Sequence, residues 1–395
     1  MINTQMTQRG ENSSVIRDLF EYGMQRRAAI GADKVFDFSL GNPNVPCPQE
    51  VTDTINELVG STDPAMLHGY TSAVGDNGTR QAIAAYTNEK YNLGVDFTDI
   101  YMTAGAAASL TITLKALTNA GEEVIVFTPY FPEYMVFIEN SGAVCVEVPV
   151  RAEDFQIDFD ALEKAFSEKT AAIIVNSPNN PTGAVLTGQT LEKLAAFLKE
   201  KEAKYNKEIY LISDEPYRDL VYDGIELKLP AQYYHNTIIC YSYSKTLSLP
   251  GERIGYIMVS PKMTSRKKVF ATICGAGRSL GFVCAPAMMQ KVVQLNQGVT
   301  SDVNVYAENR TILYNALTEY GFEAVRPDGA FYLFVKSPSG DGNEMSERAK
   351  EQELLLVPSD SFGMEGYVRI AYCVSKKQIE DSLPAFKALA ESYGL

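Results

Sequence analysis

The chain contains no tryptophan and only two histidines among its 395 residues, His68 and His235. So few imidazoles leave little room for a histidine-ligated metal or a histidine-based catalytic triad. We therefore expect no bound metal. If the chain is an enzyme, another type of side chain must move the protons.

The sequence also lacks closely spaced cysteines, the pattern of a signal peptide and a long apolar run. None of its six cysteines forms a CxxC motif, and several lie in apolar segments, so we expect buried, reduced thiols. The polar first twenty residues lack the basic start and apolar centre of a signal peptide, and no apolar run is long enough to cross a membrane. The cytoplasm is the expected location.

Basic residues are outnumbered and scattered. The chain has 35 lysines and arginines against 49 aspartates and glutamates, a formal net charge of −14. Such an acidic surface argues against nucleic acids and anionic membranes as partners. Its 46% hydrophobic and 21% charged content is ordinary for a globular protein, and 395 residues are enough for two or three domains.

From about residue 99, short β-rich segments alternate with helical ones, a pattern typical of a mostly parallel sheet with helices on both faces. Strands are predicted at 99–105, 122–129, 142–150, 171–178, 208–216 and 236–244. Helices are predicted at 106–118, 132–140, 159–168 and 188–204. A last strand, beginning at Arg253, follows after too few residues for a crossover helix, so it is predicted to be antiparallel.

The C-terminal part has a different pattern. A long helix is predicted over about 286–320, followed by short strands at 329–338 and 367–373 and a final helix at 375–392. This α+β composition predicts a second, smaller domain. We expect a large domain at 46–300 and a small domain formed by 1–45 together with 301–395.

Small, polar or aromatic residues follow five of the predicted strands. In an open parallel sheet, ligands bind beyond the carboxyl ends of the strands, so these clusters predict one shared site. A single cluster could be an ordinary turn, but five at one edge indicate a site. The segments are "TAGAAAS" (103–109), "TPYFPEY" (128–134), "NSPNNPTG" (176–183), "SDEPYRD" (213–219) and "SYSK" (242–245).

Gly105, Ala106 and Ala107 lie where a strand gives way to a helix. Small residues admit a ligand to the backbone, and the free N–H groups at a helix start attract a phosphate. Ser242 and Arg253 could complete an anion site. The alternative is a simple tight turn between strand and helix.

Asp214 and Lys245 each come at the end of an apolar segment that is predicted to be a buried strand. A buried carboxylate needs a cation or a donor, so Asp214 either caps a following helix or pairs with a protonated ring nitrogen of a ligand. A lysine amine in partly buried surroundings becomes nucleophilic, whereas most lysines are solvent-exposed loop residues. The position of Lys245 favours the nucleophile.

At this point the motifs resemble a known family. "NNPTG", "SDEPYRDL" and "SYSKTLSLPGERIGY", in this order and spacing, are similar to those of the fold type I, pyridoxal-phosphate-dependent aminotransferases of class I/II, the aspartate aminotransferase-like group. The similarity extends from "FSLGNPNVPCP" (38–48) to "YVRIAYC" (367–373). It implies an α/β fold and pyridoxal 5′-phosphate as the cofactor.

The resemblance implies roles for the residues at the strand ends. Lys245 would form a Schiff base with the cofactor and later carry a proton from the substrate α-carbon. Asp214 would pair with the pyridine N–H, which keeps the ring an electron sink. Tyr217 would bond to the cofactor 3′ oxygen, and Phe131 would stack on the ring. Asn180 would contact both that oxygen and the substrate carboxylate.

The remaining implied contacts are to phosphate, substrate and a second subunit. The phosphate would lie against Gly105, Ala106 and Ala107, with Ser242 and Arg253. Tyr70, in "HGYTSAVGDNGTRQAI", resembles the tyrosine that reaches the phosphate of the partner subunit, which implies a homodimer. Arg369 would bind the α-carboxylate near the backbone of Gly41. An arginine within an alternating strand also needs an anion on chemical grounds, and the alternative is a structural salt bridge.

The amino donor stays open at this stage. Relatives that act on aspartate use a second basic residue, often from the partner subunit, for the side-chain carboxylate, and Arg278, in "GAGRSLGFVCAP", is a candidate for it. An interface or surface arginine is the alternative. The many Phe, Tyr and Met residues make an apolar or aromatic side-chain pocket equally possible.

Two rival functions share this set of residues. A pyridoxal-phosphate-dependent β-lyase cleaves C–S bonds on the same fold, although "NNPTG" and "DEPYRDL" favour transamination. The cofactor-binding domain of a transcription regulator is the second rival. A basic DNA-binding segment would be expected before such a domain, and here the family pattern begins near residue 38.

Overall fold

The computed structural model describes residues 2–11 and 15–395. Its strands are β1 (Phe36–Asp37), β2 (Ile100–Thr103), β3 (Glu123–Thr128), β4 (Val144–Pro149), β5 (Thr170–Asn176), β6 (Tyr210–Asp214), β7 (Thr237–Ser242), β8 (Gly255–Val259), β9 (Tyr332–Lys336), β10 (Leu354–Leu355), β11 (Val357–Pro358) and β12 (Tyr367–Ala371). Its first eight helices are α1 (Thr4–Glu11), α2 (Val15–Ile30), α3 (Gln49–Ser61), α4 (Pro64–His68), α5 (Asn77–Tyr91), α6 (Ala106–Leu117), α7 (Glu133–Ser141) and α8 (Phe159–Ala165). The others are α9 (Gly188–Tyr205), α10 (Pro230–Tyr233), α11 (Tyr243–Thr246), α12 (Arg266–Leu280), α13 (Ala287–Leu295), α14 (Val303–Glu319), α15 (Gly342–Lys350) and α16 (Lys376–Ser392).

Seven strands form the main sheet, in the order β2-β8-β7-β6-β5-β3-β4. All neighbouring strands are parallel except β8, which is antiparallel to both β2 and β7. The predicted α/β fold class and the predicted antiparallel last strand are therefore confirmed. The parallel strands β5, β6 and β7 end side by side, which brings their carboxyl ends to one edge.

The main sheet is buried on both faces. Every residue of β5 and of β7 is buried, as expected for strands that helices cover on either side. One apolar cluster joins the sheet to α6, α7 and α12, and another joins the opposite face to α8 and α9. A sheet fixed in this way gives the residues at its edge a rigid base.

The C-terminal part forms a separate antiparallel sheet, β11-β12-β9. The N-terminal β1 pairs in parallel with β10, and Phe38 packs in the same apolar cluster as Phe386. This pairing supports the proposed small domain made of residues 1–45 and 301–395, although its boundaries stay a prediction.

The predicted long helix over 286–320 is wrong. The structure divides it into α13 and α14. Between them Gly298 has a φ of 83°, and the Asp302 side chain caps the start of α14 by accepting a bond from the Asn304 N–H. The intervening loop returns to the site, since the Ser301 N–H donates to the Thr246 carbonyl at 2.7 Å.

The six cysteines differ in burial. All of them are free, but only Cys240 and Cys373 are buried. The expectation of buried thiols therefore holds for those two and not for the other four, which are partly exposed.

Within residues 2–11 and 15–395, no helix is both long enough and apolar enough to cross a membrane.

Candidate active site

A cavity of about 290 Å³ lies at the carboxyl ends of the parallel strands. Most of the predicted site residues line it, and they come from both parts of the chain. Those residues are Gly41, Ala106, Ala107, Phe131, Asn180, Asp214, Tyr217, Ser242, Lys245, Arg253 and Arg369. The five strand ends that the sequence analysis combined therefore do meet at one place.

Three predicted residues do not line this cavity. Gly105 lies next to the guanidinium of Arg253, which itself lines the cavity. The Tyr70 side chain is 99% exposed, and Arg278 is exposed near the end of α12. The roles proposed for Tyr70 and Arg278 both involve a second subunit, so their distance from the cavity of their own chain leaves those roles untested.

Two chain segments approach each other closely at Gly105 and Arg253, where a phosphate is expected to bind. Gly105 has a φ of +86°, and a Cβ there would lie 2.7 Å from the Arg253 Nη2. Only glycine tolerates both that conformation and that neighbour. Ser242 and Ser244 bond to each other at 2.6 Å between their Oγ atoms. Ala106 and Ala107 begin α6, so free N–H groups, two hydroxyls and a guanidinium converge.

Asp214 ends β6 as a buried carboxylate with one oxygen still unsatisfied. Its Oδ2 accepts a hydrogen bond from the Tyr134 hydroxyl at 2.5 Å, whereas its Oδ1 has no partner among the described residues. Burial raises the pKa of Asp214 to about 7, and the bond from Tyr134 opposes that rise. The carboxylate is not a helix cap. Its free oxygen fits a cationic N–H donor from a ligand.

The raised pKa of Asp214 predicts a pH effect on the stability of the cofactor-free protein. Between about pH 4 and pH 7 the folded protein binds this proton more tightly than the unfolded chain, so stability falls as pH rises. Asp214→Asn should remove up to roughly 4 kcal/mol of that fall. Urea unfolding of both proteins at several pH values measures it. Identical pH profiles for the two proteins would contradict the account.

Lys245 lies on the short helix α11, directly after β7. Its Nζ donates to the Gly41 carbonyl at 2.6 Å and lies 5.4 Å from the centre of the Phe331 ring. The pKa of Lys245 is lowered to about 8, mainly by burial; the nearby Arg369 and Arg253 contribute to the lowering and Cys373 opposes it. Near neutral pH a useful fraction of this amine is therefore uncharged and nucleophilic.

Arg369 lies on β12 with its side chain only 2% exposed. Its guanidinium donates to the Asn180 Oδ1 at 3.1 Å and to the Ser39 carbonyl at 2.5 Å. Its Nε has no partner, and among the described residues no acidic side chain pairs with it. The salt bridge that was the alternative role for Arg369 is therefore absent among the described residues. A buried cation without an anion has the properties of a carboxylate-binding group.

Several residues in or beside the cavity were not anticipated from the sequence. Tyr134 lies within the segment "TPYFPEY", where only Phe131 was assigned. Asn176 donates to the Asp214 carbonyl and accepts from the Asn180 N–H. Tyr332 and Ile16 come from β9 and α2, far from the motifs in sequence. Position at a strand end could have indicated the first two, and no comparable signal marks the others.

Comparison with known proteins now decides the family. The sequence profile described as aminotransferase class I and II matches residues 33–386. The chain belongs to this family. It is 31% identical over 383 residues to aromatic-amino-acid aminotransferase 2 of Thermococcus litoralis, with 94% of each chain covered. The names of these relatives support the aminotransferase interpretation and do not support the β-lyase alternative.

Solved structures agree with this assignment. A crystal structure of an amino transferase from Eubacterium rectale matches with a TM-score of 0.98 at 50% identity, covering 100% of both chains. The aspartate aminotransferase of Thermotoga maritima matches with a TM-score of 0.86 at 26% identity, covering 98% of this chain and 99% of the other. This aminotransferase therefore has the fold type I architecture that its motifs predicted.

The class I and II aminotransferases of this fold use pyridoxal 5′-phosphate, and the site residues fit that cofactor. The unpartnered Asp214 Oδ1 suits the ring N–H. The space that Gly105 leaves beside Arg253, at the start of α6, suits the phosphate. The Lys245 amine lies in the same cavity as both groups, as attachment to the cofactor requires.

Proposed function

We propose that this aminotransferase moves the amino group of an L-amino acid to a 2-oxo acid in two half-reactions at the cavity described above. The observation that carries the proposal is that one cavity is lined by a lysine with a lowered pKa and by a buried arginine that has no acidic partner among the described residues. A nucleophilic amine and a carboxylate anchor are what an α-amino acid substrate needs.

The cofactor, when bound, supplies an aldehyde carbon and a ring that accepts electrons. Lys245 would hold that carbon through its amine and, when free, would move a proton at the substrate α-carbon. Asp214 would hold the ring N–H, and Tyr217 would donate to the 3′ oxygen. Phe131 would cover one face of the ring. Asn180 orients the guanidinium of Arg369 through their 3.1 Å hydrogen bond.

The phosphate end and the α-carboxylate end are held by different parts of the chain. Gly105, Ala106, Ala107, Ser242 and Arg253 bind the phosphate in this proposal. Arg369 binds the α-carboxylate, and its bidentate donor geometry aligns the α-carbon with Lys245. The Gly41 backbone lies beside Lys245, since the Gly41 carbonyl accepts a hydrogen bond from the Lys245 Nζ.

The donor side chain is the open part of the proposal. The cavity offers apolar surface from Ile16, Leu110 and Phe131, which suits an aromatic or aliphatic donor. Among the described residues its cations are Lys245, Arg253 and Arg369, and each already has a role. A second substrate carboxylate would therefore need a cation from elsewhere, and Arg278 of a partner subunit is the proposed source.

A screen of donors against 2-oxoglutarate, pyruvate and oxaloacetate tests the proposal and identifies the donor. If the donor is dicarboxylic, Arg278→Ala should lower kcat/KM for aspartate by about 10- to 1,000-fold and leave alanine or aromatic donors nearly unchanged. Arg266→Ala, on the same helix, is the matched control. Equal losses for every donor would exclude Arg278 from side-chain recognition, and no turnover with any donor would exclude the proposed function.

The quaternary arrangement and location are also proposals. We propose a homodimer in which Tyr70 of each subunit reaches the phosphate of the other, which accounts for a tyrosine that is 99% exposed in one chain. We also propose a large domain at 46–300 and a small domain at 1–45 together with 301–395. We propose a cytoplasmic enzyme that uses neither nucleic acid nor membrane as a partner, in keeping with its net charge of −14.

A further inference from the structure

Tyr332 lies between the groups proposed for the cofactor and those proposed for the substrate. It begins β9, is 2% exposed and lines the cavity. Its hydroxyl lies 2.9 Å from the hydroxyl of Tyr217, and either oxygen can be the donor. The two rings meet edge to face, with centroids 5.7 Å apart and an interplanar angle of 83°.

The surroundings of Tyr332 hold its hydroxyl in one place. A Cβ at Gly41 would lie 2.0 Å from the Tyr332 hydroxyl oxygen, so this oxygen occupies space that any other residue at Gly41 would fill. The Gly41 carbonyl, in turn, accepts the Lys245 Nζ. On the other side, the Arg369 guanidinium carbon lies 4.7 Å from the centre of the Tyr332 ring. One side chain thus contacts three parts of the proposed machinery.

We propose that Tyr332 is a positioning residue. Its hydroxyl donates a hydrogen bond to the Tyr217 hydroxyl and thereby directs the hydrogen bond of Tyr217 to the 3′ oxygen of the cofactor. A tyrosine hydroxyl has one proton, so if Tyr217 donates to an anionic ligand oxygen, its own oxygen is free to accept. Hydrogen bonds in such a chain strengthen one another in a buried setting. The inference rests on the proposed role of Tyr217.

Tyr332 is able to act as the donor throughout the working pH range. Its titratable neighbours are Tyr217, Arg369 and Cys373. Burial raises the pKa of Tyr332 to about 12, and Arg369 opposes that rise. The hydroxyl therefore keeps its proton at neutral pH. The ring face toward Arg369 adds a cation–π contact that restrains the guanidinium.

The test is a pH titration of the absorbance of the bound cofactor in the holoenzyme without substrate. Tyr332→Phe keeps the ring and removes the proton donor. The midpoint of the titration should rise by about 0.5 to 1 pH unit, because the anionic 3′ oxygen loses part of its stabilisation. Tyr372→Phe is the matched control, since this buried tyrosine of the same apolar cluster bonds to the Ala330 carbonyl and is not among the residues that line the cavity. It should leave the midpoint unchanged.

A double-variant cycle separates this inference from the proposed function. Tyr217→Phe should shift the midpoint more than Tyr332→Phe does, and adding Tyr332→Phe to it should cause little further shift. If Tyr217→Phe shifts the midpoint and Tyr332→Phe does not, the inference is wrong and the role of Tyr217 stands. Equal shifts in Tyr372→Phe would reduce Tyr332 to a packing residue. A wild-type protein that binds no cofactor would overturn the proposed function itself.

Discussion

Lys245→Ala is expected to abolish transamination while the protein still folds and binds pyridoxal 5′-phosphate. The variant loses both the covalent attachment and the base at the substrate α-carbon. General acid–base catalysis alone contributes about 100- to 10,000-fold, so turnover should fall by at least that range. The proposed phosphate-binding residues Gly105, Ser242 and Arg253 are unchanged in the variant, and they should keep the cofactor bound without the covalent link.

Two measurements check this result. Absorbance spectra of the purified variant should lack the pH-dependent band of the attached cofactor, and a coupled assay should show no keto acid formation. Lys262→Ala is the control, because Lys262 only donates to carbonyls of the α10 segment. Substantial turnover in Lys245→Ala would remove the lysine from the mechanism. Loss of folding would show as a changed circular dichroism spectrum and would call for Lys245→Arg.

The second large effect is expected for Arg369→Gln. A buried charge that loses its partner typically changes binding by 2–5 kcal/mol, so kcat/KM should fall by about 30- to 3,000-fold for every donor and acceptor. The loss should be common to all substrates because all of them share the α-carboxylate. The variant should still bind the cofactor, since the proposal places Arg369 on the substrate side of the cavity.

Arg369→Lys separates charge from geometry. Lysine keeps the positive charge but lacks the two parallel donors of a guanidinium, so it should recover only part of the activity. Steady-state kinetics with one aromatic donor and one dicarboxylic donor provides the comparison. A loss confined to the dicarboxylic donor would place Arg369 at the side-chain carboxylate instead and would leave the α-carboxylate without its proposed anchor.

Much of the fold and of the cavity could be predicted because the signals are local. The β-rich segment ending at Asp214 and the one before Lys245 each end where a chemically distinct residue follows. In a parallel sheet, neighbouring strand ends must meet, so strand order alone brings such residues together. The short connection before β8 likewise allowed only an antiparallel strand.

The rest depends on tertiary contacts that no local pattern encodes. Tyr332 reaches Tyr217 only because the fold brings β9 next to the loop that follows β6, although the two tyrosines are 115 residues apart in the chain. Tyr134 is selected as the partner of Asp214 by the path of the chain after β3. The break between α13 and α14 follows from Gly298 and the Asp302 cap, which interrupt an otherwise continuous apolar pattern.

The central claim is that this cavity performs transamination, and a single half-reaction tests it most directly. The holoenzyme is mixed with an excess of an amino acid that the screen identifies as a donor, with no keto acid present. The account predicts one equivalent of the donor's keto acid per subunit, no free ammonia, and conversion of the cofactor absorbance to that of its amino form. Continued release of pyruvate and ammonia beyond one equivalent, or no keto acid with any donor, would contradict it.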